Sequence, residues 1–159
     1  MTAYLKRMPA GIAGAISRPQ DLTVEPVILD STNLFAAYGL GGKYLNGKFV
    51  PIAAGDTAAL LAGILVRPFP TAAQPDVVQQ IGTGKNFTGD SLKRGYLNVN
   101  IGGDASSVTL GGAVYMRIAA PNVGSFVAAA DGVNTVAITT AYFTGPGDTS
   151  GNIEIAYKI

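Results

Sequence analysis

Two short runs in this chain hold residue types that can do chemistry. Asp148-Thr149-Ser150-Gly151 has the order of an aspartic-protease loop, and a symmetric dimer of one-motif chains can supply the two carboxylates that share a proton. Gly82-Thr83-Gly84-Lys85 has the look of a phosphate-cradling loop. Neither survives inspection of its flanks. Gly145-Pro146-Gly147 stands where an apolar strand should lead into a catalytic aspartate, so Asp148 reads as the side-chain cap of a turn. The phosphate loop needs Gly at 79 and Ser or Thr at 86, where the chain has Gln79 and Asn86.

Little other chemistry is on offer. The 159 residues include no His, no Cys and two Glu, whereas catalysis near neutral pH usually recruits imidazole, thiolate or paired carboxylates. Asp104, Asp131 and Asn134 lack the closely alternating oxygens and terminal Glu of a calcium loop, and read as turn residues. Asn86-Phe87-Thr88 is a glycosylation sequon, which matters only in a eukaryotic secretory chain. Lys93-Arg94 beside Tyr96, even joined by Lys6, Arg7 and Arg18, would neutralise three to five phosphates at most, giving weak and salt-labile affinity. An exposed basic pair, or an ion pair to an acidic partner, is the expected role there. No enzyme, no cofactor, no metal and no nucleic-acid partner is expected.

The elements that must carry these residues are strands. Leu97, Val99 and Ile101 alternate with Asn98 and Asn100, and Val114, Met116 and Ile118 alternate with Tyr115 and Arg117. Val136, Ile138, Thr140 and Tyr142 oppose Thr135, Ala137, Thr139 and Ala141, and Ile153, Ile155, Tyr157 and Ile159 oppose Glu154, Ala156 and Lys158. Leu22 to Asp30 is a further strand, with Pro26 marking an edge or bulge, and Leu60 to Phe69 is apolar enough to be buried on both faces. Asn46-Gly47 fits a two-residue hairpin turn, and Asp131-Gly132 is expected to make a second one between Phe126–Ala130 and Asn134–Thr140. Residues 70–91 read as one long excursion, and helix is expected at most as a turn near Thr57–Ala62. The prediction is a single antiparallel β-barrel or sandwich of eight to ten strands, jelly-roll-like, over residues 21–159.

Residues 1–20 differ. Lys6, Arg7 and Arg18 precede the first acid, Asp21, while Pro9, Gly11, Gly14 and Pro19 break any helix or signal-peptide core. The apolar Tyr4, Leu5, Met8, Ile12 and Ile16 suit an extended N-terminal arm that docks on something, with a reach of about 65 Å when fully extended. Composition points the same way. Hydrophobic residues make up 48% and charged residues only 13%, about half the usual fraction, with a net charge of +1. Self-repulsion therefore does not keep copies apart, and some apolar surface is expected to be covered by the chain itself, as a homodimer or homotrimer, or by a partner. No stretch of about 18 uninterrupted apolar residues occurs, so no membrane partner is expected.

Ala3-Tyr4-Leu5-Lys6-Arg7-Met8-Pro9-Ala10-Gly11-Ile12 resembles the start of tailed-bacteriophage capsid cement, or decoration, proteins. Similar blocks follow in order: Thr23-Val24-Glu25-Pro26, Ala37-Tyr38-Gly39, Leu65-Val66-Arg67-Pro68-Phe69-Pro70, Arg94-Gly95-Tyr96, Gly112-Ala113-Val114-Tyr115-Met116-Arg117 and Ile153-Glu154-Ile155-Ala156-Tyr157. Gly82 to Thr88 departs from the pattern in having less proline. The resemblance implies a structural protein, made in the bacterial host cytoplasm, that binds the major capsid protein on the exterior of an assembled head and braces the contacts between capsomers. Tyr4, Leu5, Met8 and Ile12 would then anchor the arm, with Lys6, Arg7 and Arg18 as ion-pair donors. The competing expectation is a carbohydrate- or receptor-binding β-sandwich of a phage tail or adhesin, although Trp is absent.

Overall fold

In the computed structural model, which describes residues 11–68 and 87–159, the first strand β1 runs from Ile16 to Leu29. It is followed by β2 (Gly41–Leu45), β3 (Lys48–Pro51), β4 (Gly63–Val66), β5 (Phe87–Asn100), β6 (Ala113–Arg117), β7 (Phe126–Val127), β8 (Thr135–Phe143) and β9 (Asn152–Tyr157). Helix is limited, among the described residues, to single 3-10 turns at Ala58–Leu60 and Gly132–Asn134. The all-β expectation holds. All pairings are antiparallel except the junction of β1 with β3, where Leu29 meets Phe49 in parallel.

The sheet is part barrel and part open layer. β1 pairs β3, β3 pairs β2, β2 pairs β4, β4 pairs β5, and β5 pairs β1, which closes a five-membered ring. From the same β5, the order β9, β8, β6, β7 extends outward. The hairpin of β2 and β3 turns at Asn46 and Gly47, whose φ values of 51° and 76° match the twist of the strands they join.

The ring is narrow, and its composition shows it. Val27, Leu29, Phe35, Phe49 and Leu65 form a separate small core. Gly42, Gly63 and Gly89 leave room for their neighbours: a Cβ on Gly42 would enter the Phe49 and Phe35 rings, one on Gly63 would strike Ser91 Oγ, and one on Gly89 would stand 2.7 Å from Leu29 Cδ1. Lys93 stoppers one mouth. Its Nζ donates to Tyr44 Oη (2.9 Å) and to the Ala62 carbonyl (3.0 Å), and lies 3.6 Å from Glu25 Oε2. The larger core lies between β4, β5, β9, β8 and β6 and includes Ile64, Leu97, Val99, Met116, Phe143, Ile153 and Ile155. Tyr157 belongs to it, and burial pushes its phenol up to about 12.

Several local expectations change. Asp131-Gly132 does not make a hairpin: Gly132 opens a 3-10 turn, and β6 lies between β7 and β8 in the sheet. In β8 the strict alternation fails. Ile138, Ala141 and Phe143 are buried while Thr139 and Thr140 are exposed, because Tyr115 pairs Ala137 and Ala113 pairs Tyr142, so extra residues bulge out between them. Residues 87–91, read as part of an excursion, are the start of β5, and residues 70–86 lie outside the described chain. The strand expected over Leu60–Phe69 is Gly63–Val66 and is buried throughout. Pro26 sits in β1 facing Asp90 of β5, on a strand whose register shifts repeatedly.

Ring packing yields an asymmetric pair of mutations. Gly42→Ala should cost about 1–3 kcal/mol by overpacking against Phe49 and Phe35. Ser91 Oγ is buried with no hydrogen-bond partner among the described residues, so Ser91→Ala should leave stability unchanged or raise it. Thermal melting of the two variants distinguishes these outcomes; a lower melting temperature for Ser91→Ala would show that the hydroxyl is satisfied.

Candidate functional site

The described root of the N-terminal segment is held by backbone atoms. Ile12 accepts a hydrogen bond from Ala15 N (3.1 Å) in a tight turn that buries Ala13 and leaves Ile12 half exposed. Gly14 N donates to the Asn98 carbonyl (2.8 Å), and Asn98 N returns a bond to Ala15 (2.9 Å). Arg67 N donates to the Gly14 carbonyl (2.8 Å) while its Nε donates to Ala13 (2.9 Å), the guanidinium lying 4.9 Å from the Tyr38 ring. Gly14 has φ of +82°, and a Cβ there would meet Tyr38 Cβ at 2.5 Å, so glycine is required on both counts.

Arg18 closes the root from the other side. It pairs with Tyr96 across β1 and β5, and its guanidinium stacks 4.7 Å from that ring. Nη2 and Nε donate to the two Glu154 oxygens at 2.6 and 3.1 Å, a bidentate grip onto β9. Thr144 Oγ1 also donates to Glu154. Burial on its own would raise the Glu154 carboxyl, but the bonds from Arg18, Ser17 and Thr144 outweigh it and hold the group below the usual carboxylate range.

Of the residues singled out from sequence, Tyr4, Leu5, Lys6, Arg7 and Met8 lie outside the described residues, and so does Gly82 to Lys85. Ile12 and Arg18 are described and stand at the two ends of the docked root. Arg18, expected to donate an ion pair to a partner, donates within the chain. Its acceptor Glu154 and the root's hydrogen-bond partners Asn98 and Arg67 were not anticipated, since no local pattern links residues so distant in sequence. Lys93 and Arg94 do not form one basic patch: Lys93 enters the ring mouth and Arg94 pairs with Asp21 at 3.2 Å. Asp148 caps its own turn as expected, accepting from Ser150 N and Asn152 N. No metal-competent cluster of carboxylates occurs among the described residues.

The clasp makes a pH-dependent contribution. A carboxyl whose pKa is depressed by folding stabilises the fold above its unfolded pKa, and that contribution is lost as pH falls through the folded value. The gap in melting temperature between the native protein and Glu154→Gln should therefore be full near pH 7 and close progressively below about pH 4.5. A gap independent of pH across that range would rule out a charge-based clasp.

Residues 1–157 match the family described as XM1 gp53 minor capsid protein. No protein of curated function matches the chain. Among solved structures, one chain of the capsid of Myoviridae phage XM1 superposes with a TM-score of 0.71 at 17% identity, over 97% of this chain and 94% of the other, a likeness of fold. With the family matched along nearly its whole length, and on the same fold, this chain belongs to the XM1 gp53 minor capsid proteins and is a structural, capsid-associated component of a phage virion.

Proposed function

We propose that this protein is a cement protein, which binds the outer surface of an assembled head and braces neighbouring capsomers. The observation that carries the reading is the minor-capsid family match over residues 1–157. The ordered resemblance of the N-terminal block to cement proteins supports the finer assignment. A ligand that binds the assembled lattice and not its free subunits raises the free energy needed to open it, through simple mass action. A contact of about 800 Å² per partner, repeated around the shell, suffices for a specific interface.

In this reading residues 1–12 form an arm that crosses to a neighbouring subunit. Tyr4, Leu5, Met8 and Ile12 supply apolar contact, and Lys6 and Arg7 supply charge. Arg18 serves the arm indirectly, because its grip on Glu154 fixes where the segment leaves the β-domain. The proposed partners are the major capsid protein and further copies of this chain as a dimer or trimer. The protein is made in the host cytoplasm and joins the shell from outside.

A deletion of residues 1–10 separates arm from fold, since the contacts of Ala13, Gly14, Ala15 and Arg18 are all retained. The intact protein should co-sediment with expanded heads and raise their melting temperature. The truncated protein should keep its own thermal transition and lose most shell binding. Native occupancy by the truncated protein would overturn the arm, and failure of the intact protein to bind heads would overturn the cement reading.

A further inference from the structure

The N-terminal root runs beside a groove. Tyr38 and Leu40 from the β1–β2 connection, Ile101 just after β5, and Val123 and Val127 near β7 line a space of about 670 Å³. Ala13 of the root lines it as well. That volume falls in the range of about 300–1,000 Å³ typical of ligand sites. Backbone bonds tie the lining segments to the sheet. Gly39 N donates to the Leu65 carbonyl and Leu65 N to that of Leu40, both at 2.9 Å. Gly41 N donates to the Gly124 carbonyl (2.9 Å) and Gly124 N to that of Arg117 (2.8 Å). A groove held in this way is formed before anything enters it, which spares the cost of ordering it on binding. Its charged lining residue, Arg117, is paired with Asp131 at 3.2 Å.

Two further features bear on what enters. β7 ends the sheet order, so one of its edges has no strand partner among the described residues. Such an edge takes up an extended segment through main-chain hydrogen bonds. The second feature is where the described chain enters. Gly11 lies against Asn98 of β5, since a Cβ there would stand 2.5 Å from Asn98 Nδ2, and Asn100, two positions along β5, lines the groove. Residues 1–10 therefore lead directly to it. Fully extended they reach about 35 Å, more than the radius of gyration of about 15 Å expected for a domain of this size. They carry the apolar Tyr4, Leu5 and Met8, and Pro9 biases Met8 toward extended backbone.

We infer that in the free subunit residues 3–8 seat in the groove of their own chain, alongside β7. The inference rests on the arm of the cement reading and gives that arm a place before a head is met. The tether decides between the chain's own arm and that of a second copy. A segment joined to the groove through Gly11 and Ala13 is present there at millimolar effective concentration, which a dilute second copy does not match. Docking takes Tyr4, Leu5 and Met8 out of water in a chain whose net charge of +1 gives copies little mutual repulsion. On a shell, a neighbouring copy offers an identical groove, so an arm that crosses exchanges one set of contacts for an equal one.

The chain has no Cys, so engineered pairs report the seat directly. In the full chain, Met8→Cys is combined with Ala36→Cys or Val123→Cys in the groove, or with Leu45→Cys, an exposed control on the β2–β3 hairpin. Under mild oxidation of dilute protein, at least one groove pair should close within a single chain about tenfold faster than the control. Closure no faster than the control overturns the seat. Disulfides that form only between chains overturn it as well, because the groove then takes a neighbour's arm. A second measurement needs no substitution. A synthetic peptide of residues 1–10 should bind the protein lacking those residues about tenfold or more tightly than it binds the intact protein, whose own arm competes. Equal affinity, or no binding to either, overturns the inference. Ala36→Lys, at an exposed groove position, should weaken that peptide binding and leave the melting temperature unchanged; undiminished binding counts against the groove. None of these measurements uses heads. Failure of the seat therefore leaves the cement reading standing, and failure of the intact protein to bind heads overturns that reading alone.

Discussion

A strand has two hydrogen-bonding edges, and β5 uses both. Along one edge it pairs with β1 from Phe87 to Leu97; along the other it pairs first with β4, through Asp90 to Leu92, and then with β9, from Gly95 to Asn100. The ring and the open layer therefore share one backbone. Gly95 makes the change of partner possible. Leu92 and Leu97 both point into the large core although an odd number of steps separates them, and the slip is absorbed where Gly95 takes φ of +136°. The docked N-terminal root depends on the same strand, since the Asn98 carbonyl accepts from Gly14 N and Asn98 N donates to the Ala15 carbonyl.

The ring and the open layer carry separate cores. The ring side concentrates ion pairs, aromatic contacts and the Lys93 stopper, and it is rigid because glycine allows the side chains of a narrow barrel to interlock. The open side lays β9, β8, β6 and β7 against the larger core.

Much of the fold was legible because apolar alternation and turn chemistry are local. Asn46-Gly47, the face shared by Leu97 and Val99, and the buried run at Ile64 to Val66 all follow from residues within a few positions of one another. The bulge in β8 and the slip in β5 were not legible. A bulge depends on the register of the neighbouring strand, which no periodicity within the strand reports. Asp131-Gly132 shows the same limit: its residue types suit a hairpin, but β6 occupies the position that a hairpin partner would need.

The amino-acid order alone determined that this chain is β-rich, poor in reactive groups and similar along its length to phage capsid-associated proteins. Only the folded chain decided that β1 returns to β3 to close a ring and that Arg18 meets Glu154 across 136 positions. The reason is physical. Propensity and hydrophobic period act between near neighbours, whereas pairing partners, ion pairs and surface patches are set by which distant segments can bury their apolar sides together.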